Sequence, residues 1–250
     1  MGNSMKATFL AAAAASLLVG HAAQADTVTA TLAAHYFEVP DGSDPDFNLY
    51  STPVVAAGSS LGPNGMPVAT GGVNDINPIT GELTWWSPAL NSHVHATGTG
   101  TISLPYASDM YPLNSTASEN NGDFSNFETA YFTGSFTLAS AGTVTFQLGS
   151  DDDSFIYVDG KLFGQNPGVH GVTNVDFTSP TLSAGSHDIE VFYADRENSG
   201  AYLSLNLLSD GVVITPTAPG APEPATWALM MLGVGGMGAA LRLRRRAVAA

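Results

Sequence analysis

The sequence contains no cysteine. That excludes a disulfide scaffold, a zinc–thiolate site and a cysteine nucleophile. Basic residues are scarce: Lys and Arg together number 7, against 22 Asp and Glu. Lys6, Arg242, Arg244, Arg245 and Arg246 sit at the chain ends, so Asp26–Ala221 keeps only Lys161 and Arg196 against 21 acidic residues. Phosphate binding rests on Lys and Arg, so a body this acidic excludes nucleic acid as a partner. The same charge admits hard cations, which take oxygen ligands, and it also serves plain solubility. No helical period appears between the two ends, and there is no G-x-S-x-G elbow or Gly-rich phosphate loop. A glycosidase needs two carboxyls facing each other about 5–10 Å apart, which adjacent aspartates in one loop do not supply. No catalytic residue is therefore expected.

What is present begins with two apolar ends. Lys6 precedes Ala7–Ala23, which is almost wholly apolar, and Ala23-Gln24-Ala25 is an A-x-A site. This predicts a secretory signal peptide over 1–25, cleaved before Asp26; the alternative is a buried helix, but no amphipathic face marks one. At the other end Thr226–Leu241 is apolar and is followed by the four arginines. It spans about 24 Å as a helix, short for a lipid core of roughly 30 Å, and its glycines weaken it. The arginines should stay cytoplasmic, leaving the body outside, so the segment reads as a transient anchor.

Between these ends the pattern is that of short strands. Thr27–Val39 has strand chemistry, and residues 40–88 form a turn-rich stretch, long for a loop, in which Trp85 and Trp86 are expected to divide between core and surface. In Thr143–Leu148, Val144, Phe146 and Leu148 alternate with Thr145 and Gln147. Ser154–Val158 and Lys161–Phe163 flank Asp159-Gly160, the signal for a two-residue hairpin. Asp188–Tyr193 and Tyr202–Leu207 are further strands. The fold expected is an all-β antiparallel sandwich, jelly-roll-like, over 26–208, flanked by the signal helix and a short C-terminal apolar helix. Residues 209–221 read as a Pro/Thr-rich linker and 222–250 as a separate terminal signal.

Two resemblances add to this. The tail Pro222-Glu223-Pro224, an apolar run, then Arg242, Arg244, Arg245 and Arg246, resembles a PEP-CTERM sorting signal. That resemblance implies a Gram-negative host, processing by an exosortase, transient membrane attachment, and a destination at the cell surface or in an exopolysaccharide matrix. The body resembles the fibro-slime domain, a relative of the protective-antigen-type β-sandwich. The residues that carry it are Ser150-Asp151-Asp152-Asp153-Ser154-Phe155-Ile156-Tyr157-Val158-Asp159-Gly160-Lys161-Leu162, then Gly168-Val169-His170-Gly171, Leu182-Ser183-Ala184-Gly185, and Phe192-Tyr193-Ala194-Asp195-Arg196. Pro45-Asp46-Phe47 also fits, with Asp44 where the family usually has His.

Three adjacent carboxylates, Asp151, Asp152 and Asp153, repel one another and need water, a cation, Lys161 or Arg196 to offset them. Side chains alternate along an extended chain, so neighbouring aspartates do not ordinarily aim at one ion. Sugar-binding relatives solve this with a cis peptide, which by position falls between Asp151 and Asp152. The resemblance implies calcium held by Asp151, Asp152 and Asn198, with Asp153 and Asp195 as weaker candidates, and open positions that grip vicinal sugar hydroxyls. The competing reading of the trio is a solvated turn with Asx-turn roles. His93 and His95 share a strand face but lack a third ligand for zinc. His170 fits turn hydrogen bonding, Phe155 and Tyr157 fit packing, and Asp41, Asp44 and Asp46 lack an EF-hand pattern. The function expected is a calcium-dependent carbohydrate-binding or adhesive module of an exopolysaccharide or biofilm matrix. A structural matrix protein with no ligand site is the alternative, and a glycoside hydrolase ranks below both.

Overall fold

The computed structural model of the chain describes residues 30–47, 57–71, 76–108, 126–197 and 200–217. Within them the fold is all-β, with thirteen strands and no helix. In chain order the strands are β1 (Thr31–Pro40), β2 (Ala57–Leu61), β3 (Pro67–Ala69), β4 (His95–Ser103), β5 (Tyr106–Ser108), β6 (Asn126–Leu138) and β7 (Thr145–Asp151). They continue as β8 (Asp153–Val158), β9 (Lys161–Asn166), β10 (Thr173–Thr178), β11 (Gly185–Ala194), β12 (Tyr202–Leu207) and β13 (Ile214–Pro216). The expected signal helix, the C-terminal apolar helix and the sorting residues Pro222–Pro224 and Arg242–Arg246 lie outside the described residues.

The strands form two antiparallel sheets. The larger runs β3-β2-β9-β8-β11-β6-β1-β4, with β13 added beside β6, and the smaller runs β10-β7-β12-β5. Between them Val144, Phe146 and Leu148 meet Leu203, Leu205, Ile156, Ile189, Val191 and Phe132. These are the alternating apolar positions of the strands, as period-2 patterning requires. The β8–β9 hairpin turns on Asp159 (φ 52°) and Gly160 (φ 66°), both left-handed, the geometry of a type I′ turn. Residues 209–217 do not form the expected linker. Val212 and Ile214 enter the inter-sheet core, and β13 pairs with β6 where β1 has ended, because Ile214 supplies the apolar contact that Thr/Pro composition conceals.

The turn-rich stretch is a third layer. It lies on the outer face of the large sheet, where Phe47, Leu83, Trp85, Trp86 and Val94 pack on Phe127, Phe155, Tyr157 and Phe192. The layer covers only part of that face, which explains the burial patterns. β11 alternates from His187 to Glu190 and is continuously buried from Val191 to Ala194. Both indoles are buried, so the expected division of Trp85 and Trp86 between core and surface is corrected. Each satisfies its N–H inside: Trp86 Nε1 donates to Tyr193 O (2.6 Å) and Trp85 Nε1 to Asp46 Oδ2 (3.2 Å). Glu82, also buried, holds the β2–β3 region by accepting from Asn64 N (2.7 Å) and Thr80 Oγ1 (2.6 Å).

Candidate functional site

Ser150-Asp151-Asp152-Asp153 lies where the chain leaves β7 in the small sheet and enters β8 in the large one. The peptide bond between Asp151 and Asp152 is cis. The three aspartates do not form the solvated turn that is the competing reading of the trio. All are buried, and the strand crossing surrounds them with main-chain donors.

Asp152 ties two loops together. Its Oδ1 accepts from His170 N (2.8 Å), and its Oδ2 accepts from Arg196 N (2.8 Å) and Glu197 N (2.9 Å). Burial pushes its carboxyl above the usual range, against the lowering effect of those N–H donors and of the Arg196 charge. Asp153 joins the same two loops: Oδ1 accepts from Gly168 N, and Oδ2 accepts from Arg196 Nε (2.6 Å). Its carboxyl is also pushed up by burial, with the Arg196 guanidinium as the main opposing influence. Lys161, the other candidate counter-ion, is exposed and donates to Ser60 Oγ instead (2.9 Å).

Arg196 is fully buried and reaches back across the molecule. Its Nη1 donates to Asp46 O (3.4 Å), and its guanidinium carbon lies 4.8 Å from the centre of a Trp85 ring. Asp46 accepts from Trp85, and Asp44 accepts from Asn91 Nδ2 (2.8 Å). The stretches around Pro45-Asp46-Phe47, Gly168–Gly171 and Asp195-Arg196 thus converge on the aspartate trio. Asp151 faces the loop from the other side: a Cβ added to Gly200, whose φ is +97°, would come within 3.2 Å of Asp151 Oδ2. Asp151 O accepts from Tyr193 Oη (2.5 Å), and that hydroxyl accepts from Tyr202 N (3.1 Å).

The candidates therefore separate. Asp151 and Asp152 both address the loop 195–200, whereas Asp153 is committed to Arg196. Asn198 lies outside the described residues. Asp195 is buried, and its N–H donates to Glu128 O (2.9 Å), which draws it toward β6. His93 and His95 are exposed, and Phe155 and Tyr157 are buried in the aromatic layer. His170 closes its turn through Nδ1 and Gly171 O (3.0 Å). Among the described residues no group of three or more His, Cys, Asp and Glu side chains is placed to hold a metal ion. A carboxylate offers about four lone-pair sites and Asp152 uses three, so a cation here would draw on Asp151, Asp152 and loop oxygens. Sequence reading missed Tyr193, Trp85 and Asp46 as members of this network. The signals of it were the adjacent tryptophans in a polar stretch and the presence of Asp46 and Tyr193 in the stretches that carry the resemblance.

Residues 92–214 match the PA14 domain, and residues 221–246 match the PEP-CTERM protein-sorting motif. The sorting motif marks the chain as exported, sorted to the cell surface and processed by an exosortase. A comparison with curated proteins finds no match. Among solved structures, a PA14 sugar-binding domain from an RTX adhesin is 17% identical, with 74% of this chain and 94% of that one covered and a TM-score of 0.36. The PA14 domain of MpAFP antifreeze protein is 14% identical, with 76% and 93% covered and a TM-score of 0.35. The Epithelial Adhesin 9 A domain of Candida glabrata, in complex with Galb1-3GlcNAc, is 10% identical, with 74% and 85% covered and a TM-score of 0.36.

Proposed function

We propose that this protein is a non-enzymatic, calcium-dependent carbohydrate-binding or adhesive module of the cell surface or exopolysaccharide matrix, with a body of the fibro-slime type. The observation that carries the reading is that Asp151 and Asp152 face the same loop, 195–200. Calcium would be held by Asp151, Asp152 and Asn198. It would supply a hard, flexible coordination shell whose remaining positions take paired hydroxyls of a sugar. The protein's own part is to hold the Asp152 carboxylate still with three N–H donors while Arg196 pairs with Asp153 and leaves the other two aspartates to the cation.

Calorimetric titration of the exported protein with calcium tests this. Asp151→Asn is the informative variant, because the Asp151 carboxylate faces Gly200, whereas Asp152 also holds two loops. Calcium at a hundredfold excess over Kd should stabilise the native protein by about 2.7 kcal/mol, and Asp151→Asn should remove that gain together with glycan retention. His93→Ala should leave both unchanged. Absence of binding heat, with a melting temperature indifferent to chelator, would refute the reading. One observation favours the alternative of a structural matrix protein: Asp152 and Asp153 already have internal partners, and those bonds alone account for a buried clamp between loops. Processing is tested separately by intact mass, since the surface form should lack residues beyond about Pro224.

A further inference from the structure

β4 is an edge strand. In the large sheet it pairs with β1, and among the described residues no strand pairs with its other side. It is exposed along most of its nine residues, His95-Ala96-Thr97-Gly98-Thr99-Gly100-Thr101-Ile102-Ser103. Open edges are usually guarded by lysine, proline or an inward charge. This strand has none of these; the one edge device it carries is a bulge at Thr97, where the register against β1 passes from Tyr36↔Gly98 to Phe37↔Ala96.

The register says which backbone groups face outward. Leu104 N donates to Ala30 O (2.8 Å), and pairing runs unbroken from Thr31↔Ser103 to Tyr36↔Gly98. Antiparallel pairs alternate between bonded and non-bonded, so Ile102, Gly100 and Gly98 bond toward β1. Ser103, Thr101 and Thr99 then turn their N–H and C=O groups to the open side.

The segment Thr97-Gly98-Thr99-Gly100-Thr101 reads the same in both directions. Laid antiparallel on itself about Thr99, it sets Thr99 against Thr99 and Gly98 against Gly100, with Thr101 opposite the bulged Thr97. Threonine pairs across strands are favourable, and a two-fold contact uses one patch on both partners. Charge selects the same partner. Two copies of so acidic a body repel over most of their surfaces, and this strand has no acidic residue.

We propose that the exported protein self-associates through β4, two copies joining their large sheets into one across a two-fold axis at Thr99. This is independent of the calcium reading. The absence of cysteine makes the register testable. In the exported Thr99→Cys variant, paired residues lie about 5.5 Å apart between Cα atoms, within disulfide reach. In Thr101→Cys the two thiols are four residues out of register, about 13 Å apart. Mild oxidation should convert most of the first variant, and less than about a tenth of the second, to a covalent dimer. Light scattering should give the unmodified protein twice the single-chain mass, and Thr99→Glu should halve that mass with its β-sheet circular dichroism intact. A single-chain mass for the unmodified protein, or equal cross-linking of both cysteine variants, would overturn the proposal. So would a Thr99→Cys variant that stays monomeric with its thiol shielded from reagent, since another segment would then cover the edge.

Discussion

The inter-sheet core and the aromatic layer lie back to back on the same four strands, β1, β6, β8 and β11, and are built by different means. The first is largely aliphatic, and both its walls are sheets whose ladders satisfy the backbone. The second is aromatic, and one of its walls is a turn-rich stretch with few ladder bonds. Buried backbone and side-chain groups must be paired somewhere, so this wall is held by buried polar side chains: Glu82, Asp44 with Asn91, and Asp46 with Trp85 and Arg196. The inter-sheet core should therefore be sensitive to volume and the outer layer to the removal of single polar groups.

The strongest break in that contrast is Arg196→Met. It leaves Asp153 buried without its counter-ion and frees Asp46 O and the Trp85 face, at an expected cost of about 3–5 kcal/mol in denaturant unfolding. Adding Asp153→Leu should recover a large part of the loss. A cost below about 1 kcal/mol for the single variant would mean that the outer layer does not depend on its polar network. Next comes Gly164→Ala on β9, whose new Cβ would overlap the Phe177 ring packed against the inter-sheet core. Overpacking there should cost about 1–3 kcal/mol, and Gly164→Ala should add independently to Arg196→Met if the two cores are separate.

Two smaller effects sharpen the comparison along β11 itself. Glu190 lies on its outer side, and burial, with Asp188 and Asp159 nearby, pushes its carboxyl from 4.5 up to about 7. The folded protein then holds that proton longer than the unfolded chain, so ionisation opposes folding as pH climbs between those two values. Glu190→Gln should raise stability by about 1–2 kcal/mol at roughly pH 8 and have little effect at roughly pH 4, after discounting for partial exposure. Paired melting curves at the two pH values would settle it. His187, facing the other way against Phe136, has Nδ1 2.7 Å from Asp159 Oδ2 and Nε2 3.0 Å from Ser183 O. The Asp159 hydrogen bond, then the Ser183 carbonyl, raise its pKa above 6.5. Its contribution is complete below that value and lost as pH rises through the raised one. His187→Gln should therefore lower the melting temperature in mild acid and approach the parent in mild base.

How much was legible follows the same division. The strands of the inter-sheet core announced themselves: Val144, Phe146 and Leu148, or Leu203 and Leu205, alternate in sequence because they alternate in space. Asp159-Gly160 marked its hairpin for a similarly local reason. The outer layer carries no period, since its residues are spaced by turns, and only the paired tryptophans hinted at an apolar surface beneath. The candidate site was half legible. The aspartate trio and the loops around His170 and Arg196 stood out as motifs, but their burial did not. Arg196 meets Asp46 across 150 residues, a distance no local pattern encodes. For the same reason Ile214 was hidden in a stretch whose composition resembles a linker.

The rarity of basic residues, combined with the place of the two that remain in the body, bears on survival outside the cell. A protease that cuts after lysine or arginine has two bonds to choose from between residues 26 and 221, and Arg196 is sealed within the clamp. The bond after Lys161 is held as well, because Lys161 opens β9, which pairs with β8 on one side and β2 on the other. Scission after Arg196 requires the loop, the aspartates and the tryptophan layer to part first. The rate of that second cut is a direct clock for the opening of the site.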